Sequence, residues 1–198
     1  MALAACSGPK EWTPQQREQM REQLRAYREW AYLQNLNDSE YMLFSDNVAG
    51  TLEIAYPNYT VFVAMPGMND TVSSVVITQI VQDITTDARN MRHLFPYDYL
   101  KSRGILPDGM NRDQLKAYYQ CLANKINNGY VSMEGFLWAA MQNNIDSTVV
   151  GQLQRQCAQE LSLDMMKDKQ KKEGEKMDRK QNEVKKEVKK EERKENKK

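Results

Sequence analysis

Histidine, cysteine and glycine are scarce in this chain of 198 residues, which contains one, three and nine of them. A single histidine excludes the metal sites that are built from several imidazole groups. Three cysteines are too few for a disulfide-rich scaffold. The sequence also lacks a phosphate-binding glycine loop, a dinucleotide-binding fingerprint and an activated-serine elbow. We therefore predict a protein that is not an enzyme and that holds no cofactor or metal ion.

Long apolar runs and a large net charge are absent as well. No apolar run reaches the roughly 18 residues of a transmembrane helix, so we expect no membrane-spanning segment. The formal net charge is +1, but residues 165–198 contain 15 basic and 9 acidic side chains, against 13 and 18 in residues 1–164. An acidic body with a basic tail predicts two parts with different roles. We expect no nucleic-acid partner, because the body is acidic and nucleic acids bind basic surfaces.

A short motif stands near the N-terminus. The segment Leu3-Ala4-Ala5-Cys6 places an aliphatic residue and two small residues before a cysteine, and it resembles the lipobox of bacterial lipoproteins. The resemblance implies that Cys6 is acylated and that its acyl chains anchor the protein to a membrane. It also implies a location in the bacterial cell envelope, at the outer membrane or another periplasmic face. Since a lipoprotein signal opens with basic and apolar residues, we expect the true start upstream of Met1.

Two cysteines, Cys121 and Cys157, remain once Cys6 is set aside. An even number of cysteines in an exported protein predicts one disulfide bond. A second interpretation stays open, because free cysteines are also among the residues most often buried in a core. Cys157 lies on the apolar stripe of one predicted helix and Cys121 lies beside the stripe of another, so the two meet if these helices pack antiparallel.

The apolar pattern predicts a mainly helical α+β domain over residues 12–164, with about five or six helices and one β-hairpin. Residues 1–11 are expected to be a lipobox remnant and a tether, and residues 165–198 a low-complexity tail that is helical or disordered. The cap signals and apolar spacing place the helices at 13–35, 40–46, 70–91, 111–127, from 132 onward and from 146 onward, with a short turn of helix at 97–103.

The β-hairpin is predicted from two runs rich in strand-forming residues, 51–56 and 59–65, on either side of Pro57-Asn58. The segment from Val72 to Val81 is ambiguous, because its β-branched residues would also suit a third strand. We favour a helix there, since apolar residues recur every four positions as far as Met91, beyond normal strand length.

A cluster of cationic and aromatic residues follows this segment and forms a candidate ligand surface. Its members are Arg89, Arg92, His93, Tyr97 and Tyr99, with Lys101 and Arg103 beside them. Cations interleaved with aromatic rings can stack on sugars or bases. The alternative is packing at helix ends, with the tyrosine hydroxyl groups at the surface.

A catalytic interpretation would pair His93 with Asp98 or Asp87 as acid and base. It requires that His93 line a concave pocket within reach of an acidic side chain. The simpler interpretation places His93 at a helix C-terminus, where a cationic side chain suits the helix dipole. We favour the simpler one.

Three hypotheses for function follow from these observations. The leading one is a non-enzymatic, lipid-anchored envelope protein that serves as an accessory or interaction module, with another envelope protein or an anionic polymer as its partner. The second is a tether whose basic tail binds an anionic envelope polymer. The third is a hydrolase-type enzyme that uses His93 and nearby carboxylates.

Overall fold

The computed structural model describes residues 11–141 and 147–162, and helices are the only regular elements within these ranges. The α-helices are α1 (Pro14–Leu24), α2 (Asp38–Ala55), α3 (Tyr59–Ala64), α4 (Met68–Thr86), α5 (Tyr97–Ser102), α6 (Arg112–Gly129), α7 (Met133–Met141) and α8 (147–162). The segments Arg25–Glu29, Leu33–Asn35 and Ala88–His93 form 3₁₀ helices. Cys6 and the charged tail over 165–198 lie outside the described residues.

The predicted β-hairpin is wrong, because both of its runs are helical. Residues 51–55 complete α2, and the second run forms α3. Phe44, Val48 and Leu52 are buried at four-residue spacing, so one apolar stripe continues past Gly50 to the end of α2. Burial of this stripe outweighs the strand preference of the β-branched residues and the cost of Gly50, about 1 kcal/mol relative to alanine. The described part of the chain is therefore mainly α.

The helical interpretation of the ambiguous segment is confirmed, since it forms α4. The residues that carried its four-residue spacing are buried: Val72, Val76, Ile80 and Ile84. The helix ends at Thr86, before the predicted end at Met91, because Asp87 has an extended backbone (φ −144°, ψ 106°). The Asp87 side chain accepts a hydrogen bond of 3.0 Å from the backbone N–H of Arg89 and so caps the next 3₁₀ helix.

The predicted N-terminal helix begins as expected and ends early. Thr13 and Gln16 form a capping box, with hydrogen bonds of 3.2 and 2.8 Å between side chain and backbone. The α-helix stops at Leu24 instead of continuing to residue 35, and the chain turns at Trp30, whose backbone is extended (ψ 139°). This turn directs Tyr32 into the core, where it is 2% exposed.

The remaining helices match their predicted positions. The side chain of Asn111 caps α6 by accepting hydrogen bonds from the backbone N–H groups of Asp113 and Gln114. The α6 helix ends at Gly129, and Ser132 accepts a 2.9 Å hydrogen bond from the backbone of Gly135 in the first turn of α7.

The packing of these helices places α4 at the centre. It contacts α2, α3 and α7, while the 3₁₀ helix that follows it packs against α6. No helix in the described ranges combines the length and apolar character that crossing a bilayer requires.

Candidate functional site

The residues of the candidate ligand surface have different contacts: Arg92 and His93 lie together beside Glu40, whereas Tyr97 and Tyr99 contact other groups. Tyr97 lies on α5 and its hydroxyl group donates to the carbonyl of Pro107 at 2.7 Å and accepts from the backbone N–H of Met110 at 3.2 Å. Tyr99 is 47% exposed, and the guanidinium carbon of Arg103 lies 5.9 Å from the centre of the Tyr99 ring. Tyr97 thus holds the loop before α6, and Tyr99 faces solvent.

The two acids that the sequence suggested as partners of His93 are paired with other residues. Asp87 binds the guanidinium of Arg89, and the hydrogen bonds from Arg89 lower the pKa of Asp87 to about 2. Asp98 binds Lys101 at 3.0 Å. The pairing of His93 with Asp87 or Asp98 is therefore wrong, because each carboxylate has a nearer cation on its own short helix.

His93 itself is buried, with 4% of its surface exposed. Its Nδ1 atom lies 3.1 Å from the carbonyl oxygen of Asn35. A carbonyl oxygen can only accept, so Nδ1 carries the hydrogen and Nε2 keeps its lone pair in the neutral ring. Burial, together with the nearby charge of Arg92, lowers the pKa of His93 below its ordinary value of 6.5. The imidazole is consequently neutral at pH 7.

Glu40 faces the free nitrogen of this imidazole. Its Oε1 atom lies 3.9 Å from His93 Nε2, beyond hydrogen-bond distance, and accepts from Arg92 at 2.9 Å. Its Oε2 atom accepts from the backbone of Asn37 in the capping box of α2. Burial opposes ionisation of Glu40, but the Asn37 hydrogen bond and the neighbouring His93 and Arg92 outweigh it, so the pKa of Glu40 is lowered.

Asp83 is the second carboxylate in this region and comes from α4. Its two oxygens accept from the side-chain amide of Gln79 at 2.9 Å and from the hydroxyl group of Tyr32 at 3.4 Å. Both donors are neutral, and no ion pair joins Asp83 to a basic residue in the described ranges. Burial raises the pKa of Asp83. An ionised Asp83 is therefore a half-buried negative charge without a cation beside it.

These groups line one cavity, which we call the His93 cavity. It has a volume of about 170 Å³ and opens between α2, α4 and the Ala88–His93 helix. Its lining consists of Tyr32, Leu36, Glu40, Leu43, Phe44, Asn47, Asp83, Asn90 and His93. His93 thus lies in a concave pocket near carboxylates, although not the carboxylates that the sequence suggested.

The described residues contain no group of three or more histidine, cysteine or acidic side chains placed to hold a metal ion. No family model, no curated protein and no solved structure matches this chain.

A disulfide bond joins α6 to α8. The sulfur atoms of Cys121 and Cys157 are 2.06 Å apart and the Cα atoms are 5.8 Å apart. An ion pair of 2.9 Å between Lys125 and Glu160 lies beside the bond. The Cys157 side chain is fully buried and the Cys121 side chain is partly buried, so the bond lies at the edge of the core.

Three residues of the His93 cavity were missed in the sequence: Tyr32, Glu40 and Asp83. The sequence pattern places Glu40 at the start of a helix and Tyr32 within the predicted helix 13–35, and neither position indicates a cavity. A weak signal existed for Asp83, which is a carboxylate between Ile80 and Ile84 on the flank of an apolar stripe. A carboxylate in that position is expected to be partly buried and needs hydrogen-bond donors.

Proposed function

We propose that this chain is a lipid-anchored protein of the bacterial cell envelope, and that its helical body serves as a non-enzymatic accessory or interaction module. The N-terminal resemblance to a lipobox supports the anchor, with Cys6 as the acylated residue. The observation that carries the proposal is the disulfide between Cys121 and Cys157.

The disulfide supports an exported location on chemical grounds. Thiols in the bacterial cytosol are kept reduced, whereas disulfides form and persist in the periplasm and at the cell surface. The bond encloses a sequence separation of 36 residues, so its stabilising effect on the body is large. An exported protein gains this stability, and a cytosolic one would not.

The fixed orientation of the His93 ring supports a binding role for the body. His93 is almost fully buried and fastened by Nδ1 to the backbone of Asn35, which suits recognition in a fixed geometry. We therefore propose a module that binds its partner or ligand through polar groups held in a fixed geometry.

The proposal is tested by mass spectrometry on protein produced in its native bacterial host from its own gene. We expect a mature polypeptide that begins at Cys6, carries fatty acid and sediments with membranes. A Cys6→Ser variant is the matched control and should remain unacylated and unattached.

The same sample also tests whether the protein is exported to an oxidising compartment, where the disulfide would form. Alkylation without prior reduction should leave Cys121 and Cys157 unlabelled, and alkylation after reduction should label both. A mature chain that begins ahead of Cys6 and bears no fatty acid would refute the anchor. Free thiols at Cys121 and Cys157 in the freshly isolated protein would refute the exported location.

A further inference from the structure

We propose that the His93 cavity binds the primary ammonium group of a small organic cation. This inference goes beyond the envelope location and does not depend on it. It is based on the hydrogen-bonding character, the charge and the size of the cavity.

Three polar side chains of the lining, His93, Glu40 and Asp83, present hydrogen-bond acceptors, beside the amides of Asn47 and Asn90 and the hydroxyl group of Tyr32. His93 Nε2 bears a lone pair, because Nδ1 holds the ring hydrogen for the carbonyl of Asn35. Glu40 Oε1 lies 3.9 Å away and is also an acceptor, so no hydrogen bond links the two. Asp83 contributes a carboxylate to the same lining. A group placed among these atoms must bring donors, and an ammonium group brings three.

The charge balance favours a cation over a neutral donor. Arg92 offsets the charge of Glu40 through a 2.9 Å ion pair. Asp83 receives hydrogen bonds only from the neutral groups of Gln79 and Tyr32 in the described structure. A half-buried carboxylate without a countercharge attracts a cation more strongly than an exposed one, because solvent screens it less.

The walls of the cavity set the size and character of the ligand. The rings of Tyr32 and Phe44 both line it, with centres 6.4 Å apart, and Leu36 adds apolar surface. Aromatic faces attract ammonium groups, and the apolar surface suits a short alkyl chain. A volume of about 170 Å³ admits a small amine and excludes a folded polymer segment.

The experiment is a calorimetric titration of the full chain with n-butylammonium chloride near pH 7 at low ionic strength. We expect saturable binding with a Kd on the order of 1 mM, which is realistic for so small a ligand. Butan-1-ol, which has a similar shape and no charge, and sodium chloride are the controls. Equal binding of the alcohol, or no saturable binding of the amine up to about 10 mM, would overturn the proposal.

An Asp83→Asn variant tests the carboxylate directly. Asparagine has the same shape and can still accept from Gln79, so the fold should persist while affinity falls by about tenfold or more. Asp98→Asn is the matched control, because the Asp98 side chain is 92% exposed and lies outside the cavity. Unchanged affinity in a folded Asp83→Asn variant, shown by its circular dichroism, would contradict the assignment.

A second variant tests the site without altering a buried residue. Leu43 lies at the rim of the cavity and is 65% exposed, so Leu43→Arg places a positive charge at the entrance. We expect it to weaken n-butylammonium binding severalfold through like-charge repulsion. Ile54→Arg is the control on the same helix, since Ile54 is 84% exposed and does not line the cavity. Identical affinities for the two arginine variants would refute an electrostatic site.

Discussion

His93 combines a buried ring with a lowered pKa, and this combination makes the stability of the protein depend on pH. In the unfolded chain the imidazole titrates near 6.5, whereas burial and Arg92 keep it neutral to lower pH in the folded state. Between pH 6.5 and the lower pKa of the folded state, the unfolded state therefore binds more protons at this position than the folded state does. The linkage relation then requires that stability fall as pH falls.

We predict that the stability advantage of the native chain over a His93→Gln variant shrinks as pH is lowered from about 7.5 to about 5, by at most about 1.4 kcal/mol per pH unit. Urea unfolding at both values measures the difference. His93 is the sole histidine, so no other imidazole contributes to it. A difference that stays constant or grows on acidification would show that the folded-state pKa of His93 is not lowered.

Among the features of single helices, the N-terminal caps are those for which the sequence and the structure agree best. Thr13, Asn37 and Asn111 each form a capping box with the residue three positions later. Such caps depend on a few neighbouring residues, so they could be predicted from the sequence. The lengths of α1 and α2 could not, because they depend on which apolar residues find partners elsewhere in the fold.

We predict that Asn111→Ala lowers the free energy of unfolding by about 1 kcal/mol, since it leaves two N–H groups at the start of α6 without their side-chain acceptor. Asn124→Ala is the matched control, because Asn124 is an exposed residue within the same helix. Asn124→Ala should change the free energy of unfolding little, or raise it slightly, because alanine has a higher helix propensity than asparagine. Equal losses in the two variants, measured by urea denaturation, would mean that the cap is not the cause.

The disulfide acts on the whole molecule, because it links two helices that are far apart in the chain. We predict that the double variant Cys121→Ala/Cys157→Ala is less stable than the native protein by about 3–4 kcal/mol, from the loop-closure entropy of a 36-residue separation. Urea unfolding of the native chain with and without reductant provides an internal comparison. The reduced protein should resemble the double variant, and reductant should not change the variant itself. If reductant leaves the native protein unaffected, the bond is absent in solution.

The cavity illustrates why a site can escape sequence analysis even when its neighbourhood is recognised. His93 was singled out as the only histidine, but its nearest acids by chain position, Asp87 and Asp98, are occupied by Arg89 and Lys101. Its actual neighbours Glu40 and Asp83 lie 53 and 10 residues away along the chain. Only the packing of α2 and α4 around the Ala88–His93 helix brings them together.

The helix caps, the helical spacing of α4 and the division of charge between body and tail depend on local chemistry, so they could be predicted from the sequence. The remaining features depend on contacts that form only in the folded protein. Tertiary structure extended α2 through β-branched residues, turned the chain at Trp30, joined Cys121 to Cys157 and gathered acceptors around His93. The physical reason is that local preferences are worth a few tenths to about 1 kcal/mol per residue, whereas burying a large apolar side chain is worth about 1.5–3 kcal/mol. Where the two conflict, the partners that a residue meets in the folded core prevail.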